Sequence, residues 1–119
     1  MTALLDNLPI LEFETAELLR SWLEDHHATS NGMWLRIYKK RSGVRSVGFE
    51  QVLDEGLCFG WSESNRRKYD EDSYIQKFTP RKTPGTQSAR NLARVRALIE
   101  QGRMKPSGLA ALGKGKDKG

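Results

Sequence analysis

This sequence is poor in cysteine, histidine and long apolar runs, and each scarcity excludes a class of protein. The single cysteine, Cys58, excludes an internal disulfide, and the lack of a CxxC pair excludes the usual structural zinc sites. The adjacent His26 and His27 would diverge by about 100° on a helix, so they could not both ligate one metal ion. No apolar run approaches the roughly 20 residues of a transmembrane helix, and the N-terminus has no basic residue before its leucines. We therefore expect a cytoplasmic protein with no membrane span, no metal and no cofactor.

The composition is typical of one globular domain with an uneven charge distribution. The chain has 119 residues, of which 37% are hydrophobic and 29% are charged. The net charge is +5, but residues 1–27 hold six acids and one arginine, whereas residues 76–105 hold eight bases and one acid. The basic half is where an anionic partner would bind, although ordinary solvated surfaces explain the same pattern.

Apolar spacing and capping residues predict three main helices. Thr15 is suited to cap the first helix and Ser88 to cap the third, since a hydroxyl can accept from a free backbone N–H. Gly60 and Gly102 are suited to end the second and third helices in a left-handed conformation. The predicted spans are 16–27, 49–59 and 89–101, with one more short turn over 106–112.

Alternating and β-branched segments predict about three strands. MWLRIYKK, residues 33–40, has the composition of a strand, and WSESNRRKY and YIQKFT flank an acidic turn as in a hairpin. The sequence therefore predicts an α+β domain over residues 1–112, in which a small, mostly antiparallel sheet packs with the three helices. The low-complexity tail, residues 113–119, is predicted to be disordered.

The stretch LCFGWSE raises the question of whether Cys58 is a working thiol. A reactive cysteine needs a basic neighbour or a helix N-terminus, whereas Cys58 lies near a predicted helix C-terminus between Leu57 and Phe59. We interpret it as a packing residue, because free cysteine is among the most buried residue types. Of the two histidines, His26 is expected to continue the apolar stripe of the first helix and His27 to face solvent. An enzymatic function would require Cys58 to be exposed.

Several motifs in order resemble those of a known bacterial family. The series GMWLRIYKKRSG, LCFGW, YIQKFTPRK, SARN and GRMKPSG is similar to that of the YdeI or OmpD-associated family, also called bacteriocin-protection proteins. The resemblance implies a small α+β domain and a part in tolerance to antimicrobial peptides or envelope stress, with no reaction attached. Ser62 and Glu63 stand where that family usually has isoleucine and aspartate, and Gln87 stands where it commonly has tryptophan.

The leading functional hypothesis is a non-enzymatic binding site for an anionic small molecule. Lys39 and Lys40 end the first predicted strand, Arg81 follows the third, and the free N–H groups of the helix that Ser88 begins would attract negative charge. An arginine can hold a carboxylate or phosphate through two hydrogen bonds. Asn91 could add a neutral contact, with Trp61 and Glu63 shaping the pocket. A solvated rim of basic residues is the structural alternative.

The second hypothesis is single-stranded nucleic-acid binding on an aromatic, basic sheet face. Aromatic and basic side chains interleave along the predicted strands, in the way that base stacking and phosphate binding require. The residues concerned are Trp34, Arg36, Tyr38, Tyr74, Lys77 and Phe78. Such aromatics are more often core residues, so this hypothesis depends on whether helices leave one face of the sheet uncovered. The sequence does not predict the oligomeric state.

Overall fold

The computed structural model describes residues 4–81 and 89–112, which form one five-stranded sheet and four α-helices. In chain order the elements are β1 (Leu4–Leu5), β2 (Leu8–Glu12), α1 (Ala16–His26), β3 (Met33–Tyr38), a 3-10 turn (Lys40–Ser42), α2 (Phe49–Phe59), β4 (Trp61–Asp70), β5 (Ser73–Pro80), α3 (Ala89–Glu100) and α4 (Pro106–Ala111). The predicted cap Ser88 and the predicted disordered tail, residues 113–119, lie outside the described residues.

The sheet is mixed and has the strand order β1-β2-β3-β5-β4. β4 and β5 form the predicted hairpin, and β5 also pairs antiparallel with β3. β2 runs parallel to β3, with Ile10 opposite Trp34 and Glu12 opposite Arg36. The α+β class and the three main helices are confirmed, but the prediction of about three mostly antiparallel strands is wrong. It missed β1 and β2, because β2 is joined to the sheet by a parallel contact that the chain makes only after α1.

The termini of the helices follow from local sequence. Thr15 has an extended backbone, and its hydroxyl accepts a hydrogen bond from the backbone N–H of Leu18 at 3.2 Å, so it caps α1 as predicted. Gly60 follows α2 with φ of +81°, and Gly102 follows α3 with φ of +71°, a region that favours glycine. These residues therefore set where α1 begins and where α2 and α3 end.

The helices pack against one face of the sheet. The core combines Leu19 and Leu23 of α1 with the buried faces of α2 and α3 and with Met33, Leu35 and Ile37 of β3. Because strand side chains alternate between faces, the other side chains of β3 point away from this core. The face that carries Trp34, Arg36, Tyr38 and Lys77, here called the open face, is left uncovered by the described helices.

Candidate functional site

A cavity of about 390 Å³ lies where the C-terminal ends of α1 and α2 meet α4 and the end of β5. We call it the α4 cavity. Its polar lining residues are His27, Arg81 and Ser107, and its apolar walls include Phe59, Trp61 and Pro80 together with small alanines. A volume of this size is in the range of small-molecule sites, which run from about 300 to 1,000 Å³.

Gly60 brings these walls together. Its positive φ ends α2 and lets the chain turn directly into Trp61 of β4, and its carbonyl accepts from the backbone N–H of Arg81 at 2.9 Å. A Cβ on residue 60 would lie 2.6 Å from the carbonyl oxygen of Ser107. Gly60 is therefore required both by its own backbone conformation and by the close approach of α4.

Hydrogen bonds join the N-terminus of α4 to the C-terminus of α2. The Ser107 hydroxyl donates to the carbonyl of Phe59 at 2.7 Å, and the backbone N–H of Lys105 donates to the carbonyl of Cys58 at 2.9 Å. These bonds satisfy two of the carbonyls that a helix C-terminus leaves without an intrahelical partner. They also fix the position of Ser107 in the cavity wall.

His27 is the histidine that packs, contrary to the prediction. His26 is exposed, with its ring 4.8 Å from that of Trp22, whereas His27 is half-buried and its ring centroid lies 5.2 Å from that of Phe59. The prediction was wrong because His27, which keeps helical backbone angles, follows the buried Leu19 and Leu23 at four-residue spacing and so lies on the packed side of the helix. The His27 Nδ1 lies 2.8 Å from the carbonyl oxygen of Leu23, which can only accept, so Nδ1 carries the hydrogen.

The structure brings together only part of the predicted anion site. Trp61 and Arg81 both line the α4 cavity. Lys39 and Lys40 do not, because β3 and β5 are antiparallel and the residues that follow them lie at opposite ends of the sheet, about 30 Å apart at about 3.3 Å per residue. The Lys39 backbone N–H donates instead to the carbonyl of Asp72 at 2.8 Å.

The remaining members of the predicted site are placed elsewhere. Glu63 is half-buried on β4 opposite Phe78, outside the lining of the cavity. Asn91 is half-buried in the first turn of α3. Ser88 lies outside the described residues. The sequence therefore identified one arginine and one aromatic of the cavity but missed His27 and Ser107.

The predicted nucleic-acid residues are divided between the two faces of the sheet. Phe78 is fully buried in the core, and Tyr74 packs against that same core. Trp34, Arg36, Tyr38 and Lys77 are on the open face. Trp34 has no exposed surface, and the Lys77 ammonium lies 5.9 Å from its ring centroid. The grouping of all six on one face is therefore incorrect, because register with β3 places Tyr74 and Phe78 on the helix side.

Arg36 is held firmly on the open face. Its guanidinium carbon lies 4.4 Å from the ring centroids of both Tyr38 and Tyr69. The guanidinium also donates to Glu12 at 3.0 Å and to Asp70 at 2.7 Å. This arrangement joins β2, β3 and β4, and it neutralises the charge that a phosphate would otherwise bind.

A buried ion-pair cluster is the feature that sequence reasoning missed. Glu55 is 3% exposed, and its two carboxylate oxygens accept from Arg20 and Arg103, each at 2.8 Å. Arg20 also donates to the carbonyl of Arg103 at 2.7 Å. Glu55 follows buried Val52 by three positions, so helical spacing alone placed it on the inner face of α2. The cluster ties α1 and α2 to the segment between α3 and α4.

Cys58 is buried beside this cluster. It has no exposed surface, as predicted for a packing residue, and burial raises the pKa of its thiol. A raised pKa disfavours the thiolate that nucleophilic or redox chemistry requires. Among the described residues there is no group of three or more side chains suited to hold a metal ion.

The fold and the cavity define a small two-layer α+β domain with a cationic, largely apolar pocket. A family model described as a domain of unknown function (DUF8412) matches residues 11–111, and this chain belongs to that family. Searches of curated proteins and of solved structures found no match. In the described part of the chain, no helix has both the length and the apolarity to cross a membrane.

The family match overturns the resemblance to the YdeI or OmpD-associated family. The match covers all the motifs that suggested the resemblance, and it assigns them to a different family. In the described part of the chain, those motifs coincide with β3, the end of α2, β5, the start of α3 and the segment that joins α3 to α4. Strand alternation and a glycine after a helix are features that many α+β domains share, so their order did not identify the family. The associated link to antimicrobial-peptide tolerance has no remaining support.

Proposed function

We propose that this chain is a non-enzymatic binding protein for a compact anionic small molecule, which it holds in the α4 cavity. The observation that carries the proposal is that Arg81 and His27 line a cavity whose other walls are mostly apolar. The described lining contains no carboxylate side chain. A guanidinium beside low-dielectric walls attracts an anion more strongly than one in open solvent.

The geometry of the cavity favours a small ligand with one charged end. Arginine presents a planar set of donors that matches a carboxylate or phosphate through two parallel hydrogen bonds. Phe59, Trp61 and Pro80 would bury the apolar remainder of the ligand. Burial of apolar surface contributes about 25 cal/mol per Å², so both ends of such a ligand would add to its affinity.

The test is a titration of the protein with benzoate, phenyl phosphate and inorganic phosphate, monitored by calorimetry and by the fluorescence of the three tryptophans, of which Trp61 lines the cavity. Because a hydrogen bond to a charged group contributes about 1.5–3 kcal/mol, Arg81→Met should weaken binding by about 10- to 100-fold. Arg96→Met is the matched control, since Arg96 is exposed on α3 and outside the cavity. Unchanged affinity in a folded Arg81→Met protein would refute the proposal.

The second candidate function is binding of single-stranded nucleic acid on the open face. The observation that favours it is the sheet face without helices, on which the cationic groups of Arg67 and Lys77 lie 5.2 and 5.9 Å from the ring centroid of the buried Trp34. It ranks second because Glu12 and Asp70 pair with Arg36 on the same face. Titration with an oligothymidylate at low and moderate salt tests it, since phosphate binding weakens steeply as salt rises. A flat fluorescence signal at low salt would refute it.

A further inference from the structure

The hydrogen-bonding state of the α4 cavity restricts what its ligand can be. The Ser107 hydroxyl has already donated its hydrogen to the carbonyl of Phe59. What the hydroxyl oxygen can still offer a ligand is therefore a lone pair. A ligand beside Ser107 must donate a hydrogen bond rather than accept one.

His27, which also lines the cavity, imposes the same requirement. Its Nδ1 donates to the carbonyl of Leu23, so in the neutral imidazole Nε2 has a lone pair and no hydrogen. Among the described residues, no hydrogen-bond partner reaches Nε2. The cavity thus combines one cationic donor, Arg81, with two acceptors.

We infer that the α4 cavity takes a hydroxycarboxylate, whose carboxylate binds Arg81 and whose hydroxyl donates to His27 Nε2 or to Ser107 Oγ. This inference rests on the proposed function and names its ligand class. A benzoate-like carboxylate would satisfy Arg81 and leave both acceptors without a donor. A phosphate dianion carries acceptors alone, so its oxygens would face the lone pairs of His27 and Ser107 at close range.

The body of the ligand is set by the size and the walls of the cavity. A volume of about 390 Å³ accommodates one six-membered ring with two substituents, and rings of Phe59 and Trp61 lie in its walls. Aromatic rings pack well against each other in edge-on or offset contacts. Hydroxybenzoates therefore serve as probes of the ligand class.

The experiment compares meta- and para-hydroxybenzoate with the corresponding fluorobenzoates, with benzoate and with phenyl phosphate, at a pH of about 8, where ordinary imidazoles are neutral. Fluorine is close in size to hydroxyl but cannot donate a hydrogen bond. Because a hydrogen bond contributes about 0.5–1.5 kcal/mol net, at least one hydroxybenzoate should bind about 3- to 10-fold more tightly than its fluoro counterpart. This comparison uses the unaltered protein and does not depend on a variant folding.

Variants then assign the acceptor. His27→Phe keeps a ring against Phe59 and should lower the preference for hydroxyl over fluorine while benzoate affinity is retained. His26→Phe is the matched control, because His26 is exposed and outside the cavity lining. If His27→Phe leaves the preference unchanged, Ser107→Val should abolish it, and retention in both variants would refute the inference.

The outcomes separate the inference from the function on which it rests. Equal affinity for hydroxyl and fluoro ligands, or tightest binding of phenyl phosphate, would overturn the hydroxycarboxylate assignment while anion binding at Arg81 stands. No binding of any of these anions would overturn both. A hydroxyl preference that disappears in the cavity variants would support both.

Discussion

Replacing Glu55 with glutamine should destabilise the fold far more than the same change at an exposed ion pair. The substitution keeps the size of the side chain but removes its charge and turns an amide donor towards one of the two arginines. Breaking a buried ion pair by removing one partner costs about 3–5 kcal/mol. The side chains of Arg20 and Arg103 are 22% and 35% exposed, so water can partly solvate them and the loss should be near about 3 kcal/mol, the lower end of that range.

Urea denaturation, monitored by tryptophan fluorescence, measures this loss of stability. With a slope of about 1.5 kcal/mol per M of urea, the unfolding midpoint of Glu55→Gln should fall by about 2 M. Glu50→Gln is the control, since Glu50 also pairs with an arginine, Arg94, but its own side chain is 72% exposed. Surface pairs contribute about 0–1 kcal/mol, so this control should lose less than about 0.7 M. Equal shifts in the two variants would refute the idea that the buried cluster stabilises the fold.

Three further changes test the packing, the thiol and the acid response. Gly108→Ala places a Cβ 2.6 Å from the carbonyl oxygen of Leu57, so it should lower the free energy of unfolding, measured by urea denaturation, by about 1–3 kcal/mol. It should also weaken benzoate binding, because it displaces α4. Cys58 should react with a disulfide reagent no faster than the protein unfolds, because it is buried with a raised pKa; rapid labelling of the native state would contradict this. The Ser73 hydroxyl, together with the backbone N–H of residue 72 and an arginine, lowers the pKa of Asp70 from 3.8. A lowered carboxyl pKa stabilises the fold above the unfolded value and loses that effect as pH falls through the folded value, so Asp70→Asn should flatten the decline in stability below about pH 4.

Local signals predicted the helices and the hairpin but not the full sheet. The ends of α1 and α2 follow from Thr15 and Gly60, which act on residues within one turn of themselves. β2 has only five residues, and it gains its hydrogen-bonding partner in β3, more than twenty positions along the chain. Contacts of that separation leave no trace in local periodicity, so the N-terminal strands were missed.

The candidate site was predicted in part because strand direction matters as much as strand existence. Trp61 and Arg81 converge because they lie at the open end of one hairpin, where Trp61 pairs with Pro80. Lys39 was grouped with Arg81 because each follows a strand. That grouping would hold for parallel strands, whereas β3 and β5 are antiparallel and place the two residues at opposite ends. His27 and Ser107 were missed because helix ends meet only through tertiary packing.

The C-terminus of α2 connects the buried ion-pair cluster to the α4 cavity. The guanidinium of Arg20, held by Glu55, lies 5.2 Å from the ring centroid of Phe59, while the carbonyl of Phe59 accepts from Ser107 in the cavity wall. The cluster thus packs against Phe59, which lines the cavity, but none of the three cluster residues lines the cavity itself. It follows that Glu55→Gln should lower stability while the folded protein keeps its preference among ligands. His27→Phe should change the preference among ligands and leave the stability nearly unaltered, because His27 lines the cavity and takes no part in the ion pairs of the cluster.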